Sequence, residues 1–530
     1  ENPLNAGWEG AQWLSPTPIT DHSDDMIEVR YTRFMAGLTG EFGNGWSWDV
    51  HGQYSMSDGD YTSDQIYNDS ITDQNWLDGS CTGFNTSVRG VPCQDIPWLN
   101  PAFLAGDVDP GMREFLFGRE KGNTEYNQWD IEAFVTGDLF DMPAGSVAGA
   151  FGVNYRYDEI NDVPGEITLA SNAWGSSAAG ITKGDDTTMA FFGEIDAPLL
   201  ADMELVNSLN LNASFRYTDV DSYGSDTTYK VGLNWQVVPS IMIRANKGTS
   251  FRTPALYELY LADQTSFTGQ RNIDPCINWG DNLASGAVSQ RLADNCAADG
   301  IAPDFAGAAI TATIVTGGGL GVLEAETSDS RTVGVVWTPE FANLSFAVDY
   351  FDIEINNEVD QLGAGNILGQ CYNSEFFPAD PLCAQFDRDP DLDNMITEVR
   401  DSFINIAAQR TRGVDFNLLY RSELSIGALT FNAQASRMIE NEQALFEDTR
   451  TNYTGIMGNP EWVGNISAVL DRAQWSYTWS ANYVGSASNE SWYGEPLISY
   501  RGDTVRTVIG ADSVMYHNFS VAHDFTDYDL

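Results

Sequence analysis

Carboxylates at every second position are how a short loop wraps a hard cation, and Asp387, Asp389, Asp391 and Asp393 stand that way in the segment 387–394. They are the candidate ligands for Ca²⁺. A calcium loop also wants a glycine at its sharp turn and a distal bidentate carboxylate, and neither is evident, so a solvated acidic loop is the competing expectation. His22 beside Asp21, Asp24 and Asp25, and His517 with His523 six residues further along one strand face, are the positions at which a transition metal could be imagined. With four histidines in the whole chain, surface and lumen positions are the plainer reading. The six cysteines fall as three close pairs, Cys81 with Cys93, Cys276 with Cys296 and Cys371 with Cys383. That spacing lacks the Cys-x-x-Cys of zinc sites and suits local disulfides in an oxidising compartment. Trp76, Trp98, Trp174, Trp279, Trp492 and Tyr493 could stack on sugars or aromatic iron chelates, or else pack the loops together. No Ser/His/Asp order or catalytic carboxylate pair stands out, and the glycine run Gly317–Gly321 lacks the helix that would make it a phosphate cradle, so catalysis is not expected.

The elements that carry these residues are strands. The chain has 530 residues, 42% hydrophobic and 12% aromatic, without the ~18 consecutive apolar residues of a membrane helix. Seventy-six acidic against 26 basic residues give a formal charge of −50, which repels phosphate backbones and excludes nucleic acid as a partner. Apolar residues alternate with small or polar ones, as at Val147, Phe151, Val153 and Tyr155 against Asn154 and Arg156, and at Leu209, Leu211 and Phe215 against Asn212 and Arg216. Such segments number about fifteen, beginning near positions 27, 45, 125, 146, 187, 207, 226, 241, 327, 343, 404, 427, 462, 474 and 513.

Their connections alternate between short turns, near 43–45, 141–145, 198–203, 238–240, 339–343, 422–426 and 471–473, and long polar segments. The longest run from 57 to 123, 253 to 325 and 357 to 401; only the link near 220–225 on that side is brief. Transmembrane β-barrels have short periplasmic turns and longer extracellular loops, so the asymmetry predicts an all-β transmembrane antiparallel barrel and its orientation. All three cysteine pairs then fall in long loops on one side, each pair within one loop. Period two places Val147, Phe151, Val153, Leu209, Leu211, Phe215 and Leu233 toward lipid, and Asn154, Arg156, Asn212, Arg216, Lys230 and Asn234 toward the lumen.

From Arg244 the chain reads RANKGTSFRTPALYELY. Its Phe251, Arg252, Pro254, Glu258 and Leu259 resemble the strand-to-loop signature of TonB-dependent receptors. The family's later tags follow in their usual order: Asp274-Pro275-Cys276, Leu323-Glu324-Ala325-Glu326 (where the family usually has Pro at Ala325), Val348-Asp349-Tyr350-Phe351 and Arg412-Gly413-Val414-Asp415-Phe416. The resemblance extends from about residue 27 to the end, with 1–26 reading as the end of an extracellular loop. It implies a barrel of the 22-stranded type whose lumen is closed by a plug domain. It also implies outer-membrane lipid and lipopolysaccharide around the wall, and coupling to TonB with ExbB and ExbD through that plug. No plug, TonB box or targeting peptide is recognisable in the chain. A spanning sheet must close upon itself and single-chain bacterial barrels use even strand numbers, so about fifteen strands lead to the expectation of a barrel wall lacking several strands and not a smaller closed ring. The function implied is energised uptake of a scarce bulky solute in the Gram-negative outer membrane, ferric siderophore by default, with oligosaccharide or a cobalamin-like ligand favoured by the acidic loops. The rival is a structural or adhesive barrel that binds cations, lipopolysaccharide or a surface layer.

Overall fold

The computed structural model describes residues 24–525 apart from 44, 75–79, 176, 308–309, 446–449, 494–496 and 502. Among them fifteen antiparallel strands follow one another in a single sheet, each paired with the next in sequence. They are β1 (Asp25–Phe42), β2 (Trp46–Ile66), β3 (Phe117–Met142), β4 (Gly145–Val163), β5 (Thr182–Met203), β6 (Val206–Val220), β7 (Gly224–Val238), β8 (Ile241–Arg252), β9 (Glu326–Trp337), β10 (Asn343–Asp360), β11 (Ile404–Leu424), β12 (Gly427–Ala444), β13 (Trp462–Arg472), β14 (Trp475–Val484) and β15 (Val514–His523). A two-residue strand, Thr451–Asn452, pairs on the side of β12. The fifteen strands lie where the alternation placed them. Among the described residues β1 pairs only with β2 and β15 only with β14, so the sheet is open and its two outer edges carry unpaired backbone groups. No described helix is long and apolar enough to cross a membrane.

The strands rise further into the long-loop side than hydrophobicity suggests. β2 continues to Ile66 and β3 starts at Phe117, which shortens the loop read as 57–123 to 67–116. The reason is that pairing continues where both faces are polar, with Asn123 Nδ2 donating to Asp58 and Asp60 and Lys121 2.9 Å from Asp60. Period two marks where apolar residues stop, and ladder hydrogen bonds do not need them. At the other end β5 runs through Pro198, read as part of a turn. A register shift between Pro198 and Leu200 absorbs the proline, which cannot donate to the ladder.

One face of the wall is apolar and the other polar, as period two requires. Val153, Phe215 and Leu233 are exposed on the first. On the second, Asn154 donates to Asp130, Asn212 to Glu194, and Arg244 grips Asp349 at 2.6 and 2.7 Å. Val147, on the same face as Val153, is covered by its neighbours at 2% exposed, and a register shift between Asp138 and Phe140 sets Phe140 opposite it. Aromatic residues collect at the short-turn ends, where Trp337 meets Phe341 and Trp46 meets Phe42 at 6.2 Å, as in an interfacial girdle.

A wall one sheet thick has no interior, and the described hydrophobic clusters centre on the loops and their roots. Ile96, Trp98, Phe103, Phe115 and Leu116 pack in the segment 67–116 around the Cys81–Cys93 disulfide. A second body joins two loops far apart in sequence. Segments Phe386–Asp389, Met395–Arg400, Thr311–Thr316 and Gln264–Gly269 form a four-stranded sheet in that order, with Thr313 parallel to Glu398. Helices Gln290–Ala298 and Ala364–Asn373 pack with it, and Cys276–Cys296 and Cys371–Cys383 close within it. All three disulfides are intra-loop, as the cysteine spacing predicts.

Candidate functional site

Above the polar face the end of β8 turns into a short helix, Leu256–Tyr260. Arg252 at that end donates to both carboxylate oxygens of Glu258, at 2.9 and 3.1 Å, and from Nε to Glu326 at 2.8 Å. Glu258 accepts from the Ala255 backbone N–H and Glu326 from that of Val359. One guanidinium thus ties the tops of β8, β9 and β10 to the helix, in the bidentate geometry that lysine cannot reproduce. Leu259 and Leu256 are buried beneath it, and Phe251 with Pro254 continues the same turn. The motif residues therefore build a clamp.

The glycine run closes on this helix. The backbone N–H groups of Gly318, Gly319 and Leu320 donate to the carbonyls of Leu261, Glu258 and Leu259. A Cβ on Gly318 would stand 2.2 Å from the Leu259 carbonyl oxygen, and one on Gly319 2.7 Å from that of Phe403. Close backbone approach explains the glycines, and no phosphate is needed.

Between the clamp and the polar face of β3–β6 lies a cavity of about 630 Å³. Its wall is ordered by Asp158, which takes Arg156 at 2.6 and 3.0 Å, the Tyr126 hydroxyl at 2.9 Å and Gln128 at 2.9 Å. Arg216 lies over the Phe192 ring at 5.4 Å and reaches Asn154 at 3.4 Å. Asp186 is held by the Ser222 hydroxyl and backbone N–H. Thr218 Oγ1 lines the cavity, buried and without a hydrogen-bond partner among the described residues. Phe251, Leu256 and Tyr257 form the roof. Burial raises the Tyr257 phenol above its ordinary value, and its hydroxyl donates to Gln264 at 2.8 Å. The arrangement can hold a hydroxyl- or amide-bearing solute between fixed carboxylates and aromatic faces. No nucleophile, base and orienting group converge in it.

The residues singled out from sequence are not brought together. Trp98 is buried against Phe103, and Trp279 is partly buried with its Nε1 donating to the Ile301 carbonyl, so both pack loops and neither offers a face to ligand. Trp174 is 37% exposed, and Trp492 is exposed while meeting Tyr453 edge-on. Trp76 and the Tyr493 side chain lie outside the described residues, as does His22. The aspartates of 387–394 do not converge on a cation: Asp387 is paired with Arg400 at 2.7 Å, and Asp389 caps the turn by accepting from Asp391 N. Asp393 occupies a left-handed conformation at the turn's end. Among the described residues no group of three or more His, Cys, Asp or Glu is placed to hold a metal. His517 stacks on Trp479 and His523 meets Trp475 at 4.4 Å, which uses both as wall aromatics. The cavity lining escaped sequence reading because its members come from four strands; the signal present was Arg156 and Arg216 on the inward set.

A long, strictly sequential antiparallel sheet, apolar on one face and polar on the other, with short turns at one end and folded loops at the other, defines the wall of an outer-membrane-type β-barrel. The chain belongs to the TonB-dependent receptor-like β-barrel family, whose model matches residues 1–530. The family is an outer-membrane one. Its fold is similar to that of a double mutant of the ferric enterobactin receptor PfeA of Pseudomonas aeruginosa (TM-score 0.52, 13% identity), covering 94% of this chain and 55% of that one. It is similar likewise to the siderophore receptor PirA of Acinetobacter baumannii (TM-score 0.50, 11% identity; 94% and 57%). The chain thus spans little more than half the length of these relatives. A stretch of 50 residues is 40% identical to the vitamin B12 transporter BtuB of Vibrio cholerae, covering 9% of this chain and 8% of that protein.

Proposed function

We propose that this protein is a transporter and not an enzyme: a receptor in the outer membrane of a Gram-negative bacterium that imports a scarce, bulky solute with energy delivered by TonB, ExbB and ExbD. The observation that carries the reading is the inward cavity beneath the Arg252 clamp, a binding-sized space whose polar wall belongs to the strands and whose roof belongs to a loop. A ring of the 22-stranded type would supply the partners that the outer edges of β1 and β15 lack, since backbone groups cannot stay unpaired in hydrocarbon. A plug within it would offer TonB its handle. The apolar outer face would meet lipid and lipopolysaccharide.

Ferric siderophore is the substrate class suggested by the likeness to PfeA and PirA. A neutral ligand, oligosaccharide or cobalamin-like, is favoured by one feature: both cavity arginines are engaged, and Asp130, Asp158 and Asp186 outnumber them. An anionic chelate would meet net negative charge there. Fluorescence titration of the native protein with ferric siderophores, cobalamin and neutral oligosaccharides decides among them. Saturable quenching by one class, weakened at least tenfold in Arg156→Gln/Tyr257→Ala, is expected. Binding of none, or full affinity in the variant, would sink the cavity as the site.

A further inference from the structure

At its long-loop end the cavity beneath the Arg252 clamp holds charge that nothing in the described chain neutralises. Pairing sets Asp158 of β4 directly opposite Asp186 of β5, two carboxylates 9% and 8% exposed on the inward face. Like charges opposite each other across a ladder repel, the more so where solvent is withdrawn. Asp158 is relieved by Arg156, which commits both Nε and Nη2 to it. Asp186 has the Ser222 hydroxyl and backbone N–H, and no cationic partner among the described residues. Arg216, the other cavity cation, lies over Phe192, six residues down β5 from Asp186. On the far side of β6, Asp226 stands opposite Thr218 and is likewise without a described cation. Burial first, and then the charges of Asp226, Asp186 and Asp219, push the Tyr223 phenol in the β6–β7 link up to about 12, as an unrelieved negative field would.

A second unmet group lies in the same cavity. Thr218 is 2% exposed, and its Oγ1 is buried without a hydrogen-bond partner among the described residues. Buried hydroxyls and carboxylates are ordinarily satisfied within a fold, so one of each left wanting along one cavity wall points to partners supplied from outside. Thr218 pairs with Ala190, four residues and about 13 Å along β5 from Asp186. The cavity of about 630 Å³ is lined by both. One bulky solute therefore meets the two groups together, which a simple ion does not.

We propose that this end of the cavity is a subsite for a protonated amine carried by the solute, the Asp186 carboxylate taking the ammonium and Thr218 Oγ1 bonding a polar group further along the same molecule. The inference rests on the cavity's being the solute site, and it adds what that solute carries. An ammonium brings both the missing positive charge and hydrogen-bond donors. A neutral amide brings donors alone, and a carboxylate or phosphate adds to the repulsion. The roof of Phe251, Leu256 and Tyr257 limits water above the pair and so strengthens it. Buried polar groups that go unpaired with the wrong ligand discriminate sharply against it.

The test titrates the native protein, purified in detergent at neutral pH, by calorimetry with matched probes that differ only in an amine. One pair is ferrioxamine B, an iron chelate with a pendant primary amine, and its N-acetylated form; the other is the 2-aminoethyl glycoside of maltotriose and its N-acetylated form. In at least one pair the amine is expected to bind at least tenfold more tightly. Asp186→Asn is expected to abolish that preference, to leave the acetylated affinity within about twofold, and to unfold in urea no earlier than wild type, since it removes an unneutralised buried charge. Thr218→Val, which keeps the shape, is expected to weaken both members of the pair severalfold with the preference intact, and it decides the second contact should Asp186→Asn not fold. Equal affinity within both pairs, binding of no probe, or a preference that survives Asp186→Asn overturns the subsite. Failure of the underlying reading has a separate signature: both members of a pair would then bind with full affinity to Arg156→Gln/Tyr257→Ala, which puts the solute outside the cavity.

Discussion

Arg388 holds the lid formed by the two distant loops to itself, and its removal should loosen that lid without melting the wall. Its side chain is 8% exposed and grips Asp274, which is fully buried, at 2.8 and 3.0 Å; Nε also donates to the Tyr372 hydroxyl and Nη1 to the Asn394 carbonyl. The contact joins residue 274 of one loop to residue 388 of another, inside the body closed by two disulfides. Arg388→Met leaves the Asp274 carboxylate buried, with the Cys276 N–H as its one remaining hydrogen-bond donor among the described residues. Breaking a buried pair from one side costs about 3–5 kcal/mol. At about 1.4 kcal/mol per decade, amide exchange by local opening should accelerate by roughly two to three and a half orders of magnitude across 264–300 and 381–400. The strands β1 to β15 should keep wild-type protection. Asp274→Asn/Arg388→Met, which removes both charges, should recover most of the loss. Unchanged lid exchange in Arg388→Met, or equal loss throughout the wall, would refute the reasoning.

Three further outcomes follow from the same geometry. Replacing the pair Cys276 and Cys296 by serine reopens a separation of 20 residues and should cost the lid about 3 kcal/mol in the chain-entropy model, read as local exchange with unchanged wall unfolding in urea. Val153→Arg should destabilise the folded wall in bilayers by about 2–4 kcal/mol while Asn154→Arg, one residue away on the polar face, stays within about 1; equal costs would mean the faces are misassigned. Burial opposes ionisation of Asp69, but the Arg89 backbone N–H, the Thr86 hydroxyl and the Arg89 charge outweigh it and hold its carboxyl below the usual 3.8. The pair therefore stabilises the 67–116 loop above about that value and ceases to as pH falls through the lower folded pKa, so pepsin should begin to nick the loop only well below pH 4; nicking at the same rate in Asp69→Asn would contradict this.

The wall was legible because each strand announces itself: alternation is a local property, and a two-residue turn fixes the pairing of its neighbours, as between Met142 and Gly145 or Leu424 and Gly427. The disulfides were legible because partners 12 or 20 residues apart share a loop. The lid was not, since Thr313 meets Glu398 and Gln270 meets Ile396 across segments with no pattern linking them. The fate of Trp98 and Trp279 was hidden for the same reason. A tryptophan in a polar loop reads identically whether it awaits ligand or fills a core. Arg252 and Glu258 were visible as a motif, but their third partner, Glu326, is 74 residues further along than Arg252.

Uptake by cells carrying this protein tests the central claim most directly. A labelled substrate identified by the titrations should accumulate against its gradient in cells with intact TonB, fall to background when TonB is deleted or the proton-motive force is collapsed, and fall likewise in Arg156→Gln/Tyr257→Ala with the protein still in the outer membrane. Accumulation that persists without TonB, or that ignores the cavity variant, would contradict the account.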